Sequence, residues 1–347
     1  MERTKKTAVK VLKRVGIVAA VILSLALILI ISMYFYNQIS LKKEAGLISH
    51  KGEYVEVDGH RMNLLIEGNG ERTLVFMSGY GTPSPILDFK PLTERLKDHY
   101  RIVVIEKFGY GYSDDIESDR SVDIMTRQDR EALMKAGIEG PYILCPHSAS
   151  GLEAMYWALH YPDEVDAIIG LDMAVPGQYD YMGIDFYNEE PQTPSDFEKE
   201  NSSYCFWIYK LGLMRLMKAE DIFASLKSEY LTEEEKAEYK AIGYTRYAMG
   251  TDSTIMREQI KTEGLIRALK ELHDGPVPDI PTYFFVTDDP MMEMQYGSTD
   301  NWRQAHRDYL KAVTDGKMKE LHAGHYLHTE IPEQLAADMT AFIDSLE

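Results

Sequence analysis

Ser148 sits in the segment Leu144-Cys145-Pro146-His147-Ser148-Ala149-Ser150-Gly151, between an apolar run that reads as a strand and a stretch that reads as a helix. A serine on a sharp strand-to-helix turn presents its hydroxyl as a nucleophile, and the crowded turn needs small residues two positions away on either side. Pro146 and Ser150 stand there, where glycines are usual. Proline fixes φ and has no N–H to donate, which the last residue of a strand tolerates. The competing reading is that Ser148 only caps the helix. A hydroxyl needs a base, and His325, in Ala323-Gly324-His325-Tyr326, follows the last strand and precedes the last helix. From such a loop an imidazole can swing to a serine at the end of a central strand and take its proton. Ser78-Gly79-Tyr80-Gly81 closes an earlier strand. A Gly-rich turn there can aim a backbone N–H at a developing oxyanion, the donors being the amides of Tyr80 and of Ala149, the residue after the serine. His322, His325 and His328 are spaced like a metal cluster, but no Asp, Glu or Cys ligand set is evident and loop spacing fixes no geometry, so no metal is expected.

The elements that must position these groups alternate. Tyr54–Asp58 and Met62–Glu67 read as a hairpin turning at Gly59-His60. Residues 73–77, 101–105, 142–145 and 167–171 are continuous apolar runs, separated by helical stretches at 87–96, 122–136 and 151–161. Apolar runs alternating with helices predict a mostly parallel sheet covered on both faces. From Met173 to Ile280 the alternation stops and only helical stretches appear. It resumes with a strand at 281–287, a helix at 302–313, a short strand at 317–321 and a final helix from Pro332. The fold class expected is α/β, one core formed by 51–172 and 281–347 carrying a helical cap insert at 173–280. The two cysteines, Cys145 and Cys205, fall on different elements and are not expected to pair.

The charge is uneven. The formal net charge of the 347 residues is −19, which argues against nucleic acid as a partner. Residues 1–43 carry eight Lys and Arg against one Glu, and the remainder carries 29 basic against 55 acidic residues. Val15–Tyr36 is an uncharged run of 22 residues, which as a helix would span roughly 33 Å and cross a bilayer core. Tyr34, Phe35 and Tyr36 sit at its interfacial edge. Six basic residues precede it and Lys42, Lys43 and Lys51 follow, an asymmetry that predicts a cytoplasmic stub (1–14), a transmembrane helix (15–36), a short polar tether (37–50) and a body outside the cell membrane. A cleaved signal peptide is the alternative, but its apolar region is usually shorter and ends in small residues.

The turn glycines, Gly109-Tyr110-Gly111-Tyr112-Ser113-Asp114, the serine turn and Ala323–Glu333, in this order, resemble the α/β-hydrolase superfamily over residues 51–347. Gly109–Asp114 is similar to that family's G-x-G-x-S-D turn, and Ala323–Glu333 to its histidine loop. Ser78, Pro146 and Ser150 depart from the family pattern. The resemblance implies an eight-stranded sheet, a Ser–His–acid triad and no cofactor. It implies an acid after the penultimate strand, where Asp288 and Asp289 stand, or, in a minority of the family, one strand earlier at Asp172. Either would hold His325 in one tautomer. Epoxide hydrolases and haloalkane dehalogenases of the superfamily use an Asp nucleophile, against which Ser148 argues. The expected activity is that of a membrane-anchored serine esterase cleaving a small-molecule ester or related acyl bond. The alternatives are an aminopeptidase acting on N-terminal proline, with cap carboxylates such as Glu233–Glu235 holding the amine, and a non-enzymatic hydrolase-like binding domain.

Overall fold

The computed structural model describes residues 2–346; Met1 of the basic stub and Glu347 of the core lie outside them. Eight strands form one sheet: β1 Glu53–Val57, β2 His60–Glu67, β3 Thr73–Met77, β4 Arg101–Glu106, β5 Tyr142–Pro146, β6 Val165–Leu171, β7 Thr282–Thr287 and β8 Gly316–Leu321. Their order is β1-β2-β4-β3-β5-β6-β7-β8. The β1–β2 and β2–β4 pairings are antiparallel, and every pairing from β4 to β8 is parallel.

Successive strand residues face opposite sides of a sheet, and this divides the core in two. Leu74, Phe76, Ile102, Val104, Ile143 and Cys145 face one layer with Phe89, Leu92, Met339 and Phe342. Val75, Met77, Val103, Ile105 and Leu144 face the other with Leu133, Trp157 and Leu269. Both faces are therefore covered, which is why β3 and β5 read as unbroken apolar runs. The covering helices include α2 Pro85–Leu96 on the first side, and α3 Val122–Lys135 and α4 Ser150–His160 on the second.

Between β6 and β7 the described residues hold helices and turns but no strand. The longest helix of this insert, Glu233–Ala248, starts from a Thr232/Glu235 capping box, in which two terminal N–H groups are satisfied reciprocally. This gives Glu235 of the acidic run Glu233–Glu235 a structural task, and its carboxylate also pairs with Lys90 of α2.

The N-terminal helix α1, Glu2–Glu44, is long and apolar enough to cross a membrane. Residues 37–44, expected as polar tether, extend this helix and pack on the insert. Arg215 donates from Nε to Asn37 Oδ1 (2.6 Å) and from both Nη atoms to the Glu44 carboxylate (2.8 and 2.7 Å). Leu41 packs into the insert's own apolar cluster around Met214, Phe223, Tyr239 and Tyr244.

Candidate active site

The serine turn is strained. Ser148 has φ +52°, a left-handed conformation that a non-glycine residue adopts only when its surroundings impose it. Here they do. Gly79 lies so close that a Cβ on it would stand 2.5 Å from Ser148 Cβ, and a Cβ on Gly151 would stand 2.3 Å from the Ala174 carbonyl. The Ser148 carbonyl accepts from Ala174 N at 2.7 Å. Ser150, in the place of the usual glycine, contributes a clamp: its hydroxyl bonds the Met77 carbonyl at 2.7 Å and the His147 carbonyl at 2.8 Å, and accepts from His147 N at 3.0 Å. The departure at position 150 thus ties the turn to β3. Pro146 is the last residue of β5, opposite Met77; the ladder resumes with His147 N donating to the Met77 carbonyl at 2.9 Å.

The close packing of Gly79 on Ser148 lays the Ser78–Gly81 turn against the serine. Ala149 opens α4, so its amide belongs to a helix N-terminus, where unpaired N–H groups gather and favour negative charge. The Tyr80 side chain meets Gln259 and Met256 of the insert, and burial pushes its phenol well above the ordinary range.

The His325 ring meets one of the three carboxylates considered for it. Its Nδ1 donates to Asp172 Oδ2 at 2.6 Å, and Asp172 is wholly buried. The carboxylate also accepts from Thr287 N (2.9 Å), Thr287 Oγ1 (2.9 Å) and Trp302 Nε1 (2.8 Å). Burial pushes the Asp172 carboxyl up, but the bonds and charge of His325, with the Thr287 and Trp302 donors, outweigh it and hold the group below its ordinary value. Asp172 itself has φ +45°. The other candidates go elsewhere. Asp289 Oδ2 accepts the His325 backbone N–H at 2.8 Å, and Asp288 pairs with the exposed ring of His322. The later strand end therefore orders the histidine loop, and the earlier one meets the ring.

His147, Thr287 and Trp302 were not singled out by sequence pattern. The His147 Nε2–H donates to the His325 carbonyl at 3.0 Å, fixing the loop against the serine turn. Burial, then the charges of His325 and His328, hold its pKa well below the usual histidine range, so it stays neutral. Thr287 could have been flagged by its position at the end of β7; Trp302 lies one full helical segment later and gave no local signal. The three loop histidines do not converge. His322 is exposed beside Asp288, His325 is on Asp172, and His328 donates from Nε2 to Asp88 at 2.7 Å. A different trio, Asp88, His147 and His328, brings one potential ligand atom from each residue within 4.8 Å of the others. Asp88 is already engaged by His328 and by Ser225 of the insert.

The Gly109–Asp114 turn has its own structural explanation. The Glu106 carboxyl lies where a Cβ on Gly111 would be, and accepts from Tyr112 N at 2.7 Å and Asn63 Nδ2 at 3.0 Å. Ser113 Oγ donates to the Glu106 carbonyl at 2.5 Å. Below it, the buried Lys107 bridges Glu153 of α4 and Glu258 of the insert, both at 2.8 Å.

Comparison with known proteins follows this geometry. No protein-family model matches the chain. The protein YbdG of Bacillus subtilis, described as uncharacterized, is 38% identical over 243 residues, 70% of this chain and 71% of that one. The chain belongs to the YbdG family. Among solved structures, a probable hydrolytic enzyme from Pseudomonas aeruginosa matches with TM-score 0.60 at 15% identity, covering 85% of this chain and 95% of the other. An epoxide hydrolase from Bacillus megaterium matches with TM-score 0.59 at 18% identity, covering 84% and 100%. The family's fold, seen in this chain, is the α/β-hydrolase fold.

Proposed function

We propose that the chain is a membrane-anchored serine hydrolase that cleaves an ester or related acyl bond through Ser148, His325 and Asp172. The observation that carries this reading is the buried 2.6 Å bond from His325 Nδ1 to Asp172, on a loop that His147 pins to a strained serine turn. In the first step Ser148 Oγ bonds to the substrate carbonyl carbon while His325 Nε2 takes the hydroxyl proton. Asp172 holds the ring with Nε2 toward the serine and stabilises the imidazolium. The amides of Tyr80 and Ala149 hold the oxyanion. Collapse breaks the bond to the leaving alcohol, which takes the proton from His325. Water then attacks the acyl-enzyme, gives a proton to His325, and the acid leaves as Ser148 Oγ regains that proton.

A hydrolase reading is supported by the names of the structural neighbours. Ser148 in the nucleophile slot favours acyl transfer over the epoxide opening that one of those names describes, because epoxide hydrolases of this superfamily attack with a carboxylate. The insert serves as a cap over the site, and α1 serves as an uncleaved anchor with its N-terminus in the cytoplasm. Fluorophosphonate labelling of purified protein tests the nucleophile: label is expected on wild type and absent from Ser148→Ala. p-Nitrophenyl esters of increasing chain length then test the substrate class. Folded wild-type protein that takes no label and turns over no ester would overturn the enzyme reading in favour of a binding domain.

A further inference from the structure

The insert segment from Tyr204 to Lys218 combines three features. First, its large apolar side chains face outward: Tyr204, Phe206, Trp207, Leu216 and Met217 are all exposed. Second, its charge is opposite to that of its surroundings. Asn201 to Ala219 contains no Asp or Glu but holds Lys210, Arg215 and Lys218, in a body otherwise dominated by carboxylates. Third, it is fixed at a defined height on α1. A Cβ on Gly212 would stand 2.5 Å from Asn37 Cβ, and Arg215 bonds Asn37 and Glu44. Asn37 is the first residue after the apolar span. Met33, inside that span, is only 9% exposed, and Ile30 is partly covered. The body therefore overlaps the last turns of the apolar helix instead of standing clear of it.

We infer that this face of the insert is seated in the bilayer interface, with Phe206, Trp207, Leu216 and Met217 among the upper acyl chains and Lys210 and Lys218 at the level of the headgroups. This inference rests on the reading of α1 as a membrane anchor. Aromatic and aliphatic side chains with flanking cations are the composition that inserts at a membrane surface. The general acidity of the body would repel an anionic leaflet, so a segment with three cations and no carboxylate of its own, whose neighbours Asp252 and Glu44 are paired with Lys210 and Arg215, is the arrangement that lets the body lie down at the height of the membrane. The Arg215 clamp does the orienting.

The chain carries its own probe. Of its three tryptophans, Trp157 and Trp302 are buried, at 0% and 2% exposure, and Trp207 is 43% exposed. The full chain is reconstituted in phosphatidylcholine vesicles made with and without bromine on the upper acyl carbons. Brominated lipid is expected to remove most of the emission that Trp207→Phe removes, while aqueous iodide leaves it unchanged. Replacing Leu216 and Met217 together by Asp, at exposed positions that the fold does not need, is expected to reverse both responses. Emission from Trp207 that iodide quenches and brominated lipid spares overturns the inference. An alkaline carbonate wash separates the two readings: a chain that stays with the vesicles while Trp207 faces water loses only this inference. A chain that washes off loses the anchor, and this inference with it.

Discussion

At the scale of single residues, the site divides its carboxylates by what they touch. Asp172 accepts four hydrogen bonds, one from the His325 ring, whereas Asp289 accepts the backbone N–H of the same residue. On the proposed mechanism Asp172→Ala is therefore expected to lower ester kcat by about 10³–10⁴-fold, the cost of losing the tautomer and the imidazolium partner. Asp289→Ala is expected to cost about 1–2 kcal/mol of stability, as loss of a charge-assisted bond does, and to leave most of kcat. Steady-state kinetics beside thermal unfolding of both variants checks the contrast, and equal losses of kcat would overturn it. Sequence pattern could not decide between these acids, because both stand at the ends of adjacent parallel strands, β6 and β7, and either strand end can reach the histidine loop. The choice is made by the φ of +45° at Asp172 and by donors from Thr287 and Trp302, 115 and 130 residues away in the chain. The turn that holds Ser148 and the loop that holds His325 were legible because a strand-turn-helix and a strand-loop-helix are local patterns.

At the scale of elements, the turn after β4 is built on a buried carboxyl. Burial raises the Glu106 pKa to about 7, against the smaller lowering effects of the bonds from Tyr112 and Asn63. An unfolded glutamate loses its proton near pH 4.3. Between that value and about 7 the unfolded chain has released this proton and the folded chain still holds it, so stability falls as pH rises through the window. The span corresponds to roughly 4 kcal/mol. Glu106→Gln keeps the shape that fills the space beside Gly111 and cannot ionise. It is expected to flatten this part of the stability–pH curve, so that the variant gains on wild type as the medium passes from about pH 5 to about pH 8. Thermal midpoints of both proteins at the two pH values check it; parallel curves would show that Glu106 titrates normally. Ser150 makes a related point about what an element needs. The family glycine at that position gives room, and here a hydroxyl does more by bonding the Met77 and His147 carbonyls. Ser150→Ala removes the one O–H shared by these carbonyls, which keep only the backbone donors His147 N and Ser150 N, and is expected to cost about 0.5–1.5 kcal/mol, read from chemical unfolding, whereas an unchanged midpoint would remove the clamp from the account. The central strands, such as β3 and β5, were readable from sequence because burial on both faces leaves apolar runs without alternation. The helical state of residues 37–44 was not, because its partner Arg215 lies 171 residues beyond Glu44.

At the scale of the whole molecule, the question is what makes a basic, apolar helix and an acidic body one object. A flexible tether would let the body tumble relative to the helix. The structure instead spends a nearly buried arginine on the junction: the Arg215 side chain is 6% exposed, pairs with Glu44, bonds Asn37 and lies 4.0 Å over the Tyr244 ring. Removing one member of such a pair strands the other charge in a poorly solvated place, which typically costs about 3 kcal/mol or more. Arg215→Ala is therefore expected to loosen the junction and leave the proposed chemistry alone, since Asn37, Glu44 and Tyr244, which Arg215 meets, lie outside β5, β6 and the histidine loop. In hydrogen–deuterium exchange of the full chain in vesicles, the amides of Leu213–Leu216, of the Glu233–Ala248 helix and of α1 beyond Asn37 should exchange faster, while those of β5 and α4 should not change. Turnover of a short water-soluble ester should stay near the wild-type value. If exchange at the junction is unaffected, Arg215 is not what holds body to helix. If ester turnover falls with it, the junction and the proposed active site are coupled through the insert's contacts to the histidine loop, among them Ser225 through Asp88 to His328 and Ser228 Oγ on the Thr329 carbonyl.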